Sequence, residues 1–137
     1  MMKKSPLTTI PFKKLKNTKA WKLTSEYIRK KSGGRCYTCG GVFPMEKLVA
    51  GHFIEKIGNA ATYFDLENLR AQCRWNCNKM RHGAKEVYAL KLIKELGPDI
   101  IEKLHRKAGR PRIWTEYELR KIAEEREQEL KELENVY

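Results

Sequence analysis

The spacing of apolar and polar residues changes several times along this chain, and each change marks an element. From about Thr18 to Lys31 the pattern is helical, with Trp21, Tyr27 and Ile28 on one side, and Gly33-Gly34 ends the run. Leu48 to Ile54 is strand-like, and Gly51 within it marks a place where the backbone needs freedom or close approach. After a loop around Gly58-Asn59, Thr62 to Leu69 reads as a second strand or an extended loop, and Asn78 to Arg81 as a short helical run broken by Gly83. Ala84 to Leu96 is amphipathic through Val87, Tyr88, Leu92, Ile93 and Leu96, and Gly97-Pro98 stops it. Ile100, Ile101 and Leu104 give a following helix its apolar side. Thr115 and Glu118 form a capping-box signature ahead of a charged helix to about Asn135. Its Leu119, Ala123, Leu130, Leu133 and Tyr137 step as a heptad seam that Arg126 interrupts, which allows a coiled-coil homodimer or a lone docked or solvated helix.

These elements predict an α+β fold in which strand, loop, strand and helix make a ββα unit flanked by an N-terminal helix and C-terminal helices. Residues 1–17 carry lysines and two prolines without periodicity and read as a flexible basic arm. Residues 18–97 then form the core and 98–137 a helical extension.

Four cysteines change this picture. Cys36 and Cys39 have two residues between them, Cys73 and Cys77 have three, and the chain has no others. Two such pairs close one tetrahedral thiolate site, so a structural Zn²⁺ would clip the ends of the intervening strands together. No apolar run follows the first lysines, which predicts an intracellular, cytoplasmic protein whose thiols stay reduced. No stretch approaches the roughly 20 apolar residues that span a bilayer.

The net charge of +12 is unevenly spread. Residues 1–35 balance to +10, 36–114 to +6 and 115–137 to −4. A basic surface of this kind binds a polyanion through counterion release, and DNA is the expected partner. Candidate phosphate contacts are Lys13, Lys14, Lys16, Lys19, Lys22, Arg29 and Lys30 from the N-terminal part, and Arg70, Arg74, Lys79 and Arg81 around the second cysteine pair. Arg110-Pro111-Arg112 after Gly109 fits either the core of an AT-hook or a linker with solvated arginines. No stripe of aromatic residues marks a single-strand RNA reader.

Between the cysteine pairs lies His52, on a predicted strand, where a neutral imidazole has the chemistry to take a proton from water and direct it at a phosphodiester. His82 follows Asn78 by four residues, so a helix would give them a shared face and make His82 a second candidate ligand.

Cys36-Tyr37-Thr38-Cys39-Gly40, Ala50-Gly51-His52-Phe53, Phe64-Asp65 with Asn68, Gln72-Cys73 and Cys77-Asn78, then Tyr88 and Leu92-Ile93 ahead of Gly97, together resemble the phage recombination protein family NinG, also called Rap. That family is similar to zinc-clipped HNH, or His-Me finger, endonucleases. The resemblance covers about Trp21 to Gly97. It implies a ββα-metal core, a phage or prophage origin, and cleavage of branched DNA with a catalytic Mg²⁺ or Mn²⁺. Carried onto these positions, it makes His52 the general base, Asn68 the residue that braces the loop and orients that base, and Asn78 a ligand of the catalytic cation. Two departures stand out. The acidic ligand most HNH enzymes carry before the histidine is here Gly51; Asp65, or water and phosphate alone, would take its place, and Asp65 equally fits a cap on the turn before Asn68. The second cysteine pair also has an extra residue in Arg74-Trp75-Asn76, where the family usually has two.

Overall fold

A computed structural model describes residues 5–136. Its elements are β1 (Thr9–Ile10), a 3-10 segment (Phe12–Asn17), α1 (Lys19–Lys31), β2 (Leu48–His52), β3 (Leu69–Cys73), a π-helical segment (Arg74–Met80), α2 (Lys85–Leu96), α3 (Ile100–Ala108), β4 (Trp114–Thr115) and α4 (Glu116–Val136). The fold is α+β, with two separate antiparallel strand pairs, β1 with β4 and β2 with β3. The chain divides into two compact units, one built from its two ends up to Tyr27 and from Arg112 onward, the other from Ile28–Pro111. These limits differ from boundaries at residues 17 and 97, because strand pairing joins segments that lie far apart in sequence.

In the terminal unit, Thr9 lies opposite Thr115 and Ile10 opposite Trp114. The segment expected to be a flexible arm is folded over residues 5–17: Leu15 is buried, and the Glu116 and Tyr117 amides donate to the Thr8 and Pro6 carbonyls at 2.8 and 3.0 Å. Lys3 and Lys4 lie outside the described residues. Thr18 caps α1, its Oγ1 accepting the Trp21 amide at 3.2 Å. The capping box forms as predicted, with Thr115 Oγ1 accepting the Glu118 amide at 3.2 Å and Glu118 Oε1 accepting the Thr115 amide at 2.9 Å. Leu119, Ala123 and Leu130 are buried within the single chain, and Arg126 is buried among them, paired with Glu129. Within the chain these seam residues serve packing. Tyr137 lies outside the described residues.

The central unit is organised by the β2–β3 hairpin, which runs from Leu48 opposite Cys73 to His52 opposite Leu69. β2 ends two residues earlier than its pattern suggests. The second strand begins at Leu69 rather than Thr62, because the preceding residues close into 3-10 turns. Asp65 holds one of them by accepting the Glu67 amide at 2.9 Å. Strand alternation then puts Leu48, Ala50, His52, Leu69, Ala71 and Cys73 on one face, and Val49, Gly51, Arg70 and Gln72 on the other. Tyr88 and Leu92 of α2 are fully buried in a core with Phe53, Ile54, Ile100, Leu104 and Ala108. Each such burial contributes roughly 2–3 kcal/mol. Val87, Ile93 and Leu96, expected on the same side, are exposed. Arg70 ties β3 to α2 by pairing with Glu95 at 3.2 Å, and Glu95 also accepts the Tyr37 hydroxyl at 2.7 Å.

Candidate metal centre and a strand-end histidine

The sulfurs of Cys36, Cys39, Cys73 and Cys77 all lie within 4.8 Å of one another. In a zinc tetrahedron with bonds of about 2.3 Å the sulfurs stand about 3.8 Å apart, and here those of Cys39 and Cys73 are 4.0 Å apart. Local geometry builds each half of the site. Gly40 and Gly41 let the first knuckle close, with the Gly40 amide on the Cys36 carbonyl and the Cys36 amide on the Gly41 carbonyl. The Tyr37 amide fastens that knuckle to the Ala71 carbonyl of β3 at 2.8 Å. In the second pair the extra residue is absorbed by the π-helical segment, and the Cys77 amide donates to Cys73 Sγ at 3.3 Å. Burial opposes ionisation of Cys36, but hydrogen bonds from Cys73, Thr38 and Cys39 bring its thiol down to about 6. Burial pushes Cys77 up to about 12. Four crowded thiolates repel one another, so they ionise together only around a cation, and a soft tetrahedral donor set fits structural Zn²⁺.

Beside this cluster lies a buried amide that the Gln72-Cys73 motif contains but to which the sequence attaches no role. Gln72 is fully buried; its Nε2 donates to the Gly83 carbonyl at 2.7 Å and to Thr38 Oγ1 at 3.1 Å. Thr38 Oγ1 in turn is 3.5 Å from Cys36 Sγ. On its other side, Gln72 Oε1 accepts Asn78 Nδ2 at 3.3 Å. A Cβ on Gly51 would meet that Oε1 at 2.0 Å. Gly51 is thus a glycine because the Gln72 amide fills its side-chain space, and a strand glycine in the sequence was the one signal of this close approach. The chain Cys36, Thr38, Gln72, Asn78 connects the sulfur cluster to the amide expected to hold a cation.

His52 ends β2 with its backbone held from several directions. Tyr88 Oη donates to the Gly51 carbonyl at 2.7 Å, and Lys85 Nζ donates to the carbonyls of His52 and of Phe53, the latter at 2.6 Å. Asn68, fully buried, accepts the Ile54 amide at 2.8 Å and donates to the Ile54 and Thr62 carbonyls at 3.2 Å each. It braces the loop after β2. The ring of His52 packs edge-on against Tyr63 at 5.1 Å, and Nε2 lies 3.0 Å from the Tyr63 carbonyl. A carbonyl accepts only, so the proton of the neutral ring sits on Nε2 and Nδ1 carries the lone pair. Burial lowers its pKa to about 4 against the Tyr63 hydrogen bond, with Lys56 and Lys85 adding to the effect. The imidazole is neutral at pH 7.

The structure does not bring every expected residue to this place. Asp65 is spent on its turn and on Lys107, 2.7 Å away. His82 does not share a helix face with Asn78: the π-helical segment ends at Met80, and His82 is exposed with φ 50° in a reversal that continues through Gly83 and Ala84. Arg70, expected on phosphate, is a strut to Glu95 that also donates to the Leu66 and Leu69 carbonyls at 2.7 Å each. Arg112 pairs with Glu118 and stacks on Trp114 at 4.1 Å, while Arg110 is exposed. Arg29 approaches the Met45 carbonyl at 3.5 Å. Lys13, Lys14, Lys16, Lys19, Lys22 and Lys30 are exposed, as are Arg74, Lys79 and Arg81. No described helix is long and apolar enough to cross a membrane.

Fold and site together define a small α+β protein with a four-cysteine cluster that fits a structural metal ion at one end of the β2–β3 hairpin and a clamped neutral histidine at the other. The chain belongs to the NinG family: it matches the family model described as "Bacteriophage Lambda NinG protein" over residues 7–136. Two relatives, each named "Protein ninG", come from Escherichia phage 933W and Enterobacteria phage VT2-Sa. Each is 30% identical over 100 residues, covering 73% of this chain and 48% of the relative. The chain therefore spans about half the length of the curated relatives it matches. No solved structure matches it.

Proposed function

We propose that this protein is a metal-dependent, structure-selective DNA endonuclease of the HNH type, acting on branched DNA such as recombination intermediates in the cytoplasm of a phage host. The β2–β3 hairpin and the Arg74–Met80 segment would form its ββα-metal core. The observation that carries the reading is the state of His52: a neutral imidazole at a strand end, proton fixed on Nε2 by the Tyr63 carbonyl, basic lone pair on Nδ1. Nδ1 takes a proton from water as the water oxygen bonds to phosphorus, and the opposite phosphorus–oxygen bond breaks in line. Asn68 holds the loop so that the ring keeps this pose. Asn78 gives its Nδ2 to Gln72, which leaves Oδ1 as the oxygen it presents to a hard cation. Bound there, Mg²⁺ or Mn²⁺ would stabilise charge on the leaving oxygen and the phosphorane. Alternation sends the His52 ring and the Gln72–Asn78 pair to opposite faces, so the reading requires the phosphate to lie across the end of β2.

A second reading, a zinc-stabilised DNA-binding or recombination accessory protein without catalysis, is favoured by two observations. A pKa of about 4 makes His52 a weak base, and Asp65 is already engaged. One experiment separates the two. Purified zinc-containing protein is incubated with four-way, flapped and linear duplex DNA and Mg²⁺ or Mn²⁺. Cation-dependent cuts that disappear in His52→Ala, while binding survives, support the enzyme. Binding without nicking under either cation establishes the accessory role.

A further inference from the structure

We infer that the exposed indole of Trp75 is a stacking platform for an unpaired base, and that it lets the protein select branched over continuous DNA. This rests on the DNA reading above and names the feature of the substrate that is recognised.

Trp75 is 58% exposed and Met80, on the same segment, 72% exposed. Tryptophan is largely buried in most folded proteins, so a bare indole on a rigid element invites a partner. The element is rigid because the sulfur cluster anchors it through Cys73 just before it and Cys77 within it, and the Arg81 amide closes it on the Asn76 carbonyl at 2.8 Å. Lys79 Nζ stands 4.6 Å from the ring centroid, which fixes the indole from one side and puts positive charge beside it.

The surroundings choose the partner. Between Glu67 and Glu86 the chain has no acidic residue. Of its bases there, Arg70 and Lys85 are engaged internally, while Arg74, Lys79 and Arg81 are exposed on the same stretch of chain, Lys79 over the indole. Protein interfaces exclude lysine from their cores, whereas a cation beside an aromatic face suits a phosphate next to a base. In a continuous duplex both faces of each base are covered by stacking, so only a flap, gap or junction offers one. Asn78, held by Gln72, belongs to the same segment, which places the platform next to the residue proposed for the cation.

The test uses the full zinc-containing chain without added Mg²⁺ or Mn²⁺, so that nothing is cut. Binding is measured by anisotropy to three DNAs of equal length: a duplex, a duplex with a gap of unpaired bases, and the same gap carrying abasic sugars, which keep the phosphates and remove the rings. The gapped DNA should bind tighter than its abasic counterpart by roughly 5- to 150-fold, the range base–aromatic stacking supplies. Trp75→Ala should erase that preference and leave duplex affinity unchanged, and Trp75→Tyr should keep most of it. Lys79→Ala should weaken all three and flatten the salt dependence. A Trp75→Ala protein that still prefers unpaired bases overturns the inference. So does one that weakens equally on all three DNAs, or one whose only change is lost self-association. Cleavage decides the other question separately: a Trp75-dependent preference without His52-dependent cutting leaves the platform and removes the nuclease, and the converse removes the platform alone.

Discussion

Gly51→Ala puts the packing between β2 and Gln72 to a quantitative test. The new methyl would sit 2.0 Å from Gln72 Oε1 and 2.9 Å from its Cδ, far inside contact distance. Gln72 is fully buried, so the amide has no solvent to retreat into and must leave its partners on Gly83, Thr38 and Asn78. Overpacking costs about 1–3 kcal/mol, and a buried polar group stripped of its partner about as much again, so the variant should lose about 3 kcal/mol. In urea that is a midpoint lower by about 1–2 M with the slope unchanged. Gln72→Ala alone should cost about 2–3 kcal/mol through lost hydrogen bonds and the space left behind. The double variant should cost little more than Gln72→Ala, since the methyl then has room. Denaturant titration of the four zinc-containing proteins gives the coupling, expected near 3 kcal/mol. Additivity within about 0.5 kcal/mol would refute the claim that this glycine exists to admit that amide.

Other outcomes follow from the same geometry. Elemental analysis should find one zinc per chain, and stripping it, or Cys73→Ser, should unfold the Ile28–Pro111 unit by circular dichroism, because metal-binding energy of this class matches or exceeds a domain's whole stability of about 5–15 kcal/mol. Asn68→Ala should cost about 3 kcal/mol, since it leaves the buried Ile54 amide without its acceptor, and should also reduce cation-dependent cutting. For His52 the folded pKa of about 4 lies below its ordinary 6.5, so only the unfolded chain takes up the proton between those values. Stability is intact above pH 6.5 and falls as pH drops toward 4, by on the order of 3 kcal/mol. His52→Phe should flatten that part of the pH–stability curve, and an unchanged slope would mean the ring is not buried as described.

The sequence alone settled whatever depends on local spacing and on residue chemistry. Four cysteines in two close pairs specify a tetrahedral sulfur site wherever the chain brings them together, and the capping box at Thr115 and Glu118 closes within one helical turn. Helical periodicity located α1 and α2 to within a residue or two, anticipated a helix after Gly97-Pro98, and marked Tyr88 and Leu92 as core. Tertiary contact decided the rest. Nothing local told residues 5–17 to pair with Trp114–Thr115, and so an apparent arm is a strand and a turn. In a string of letters Asp65 fits a ligand or a turn cap and Arg70 a phosphate contact, and only packing shows them held by Lys107 and Glu95. Gln72 stands in the family resemblance only as the neighbour of Cys73, with no role attached; its role exists because two strands in register and a sulfur-anchored turn bring Gly51, Thr38, Gly83 and Asn78 around one buried amide. Hydrogen bonds between residues distant in sequence follow from the three-dimensional register of the elements, which no single segment encodes.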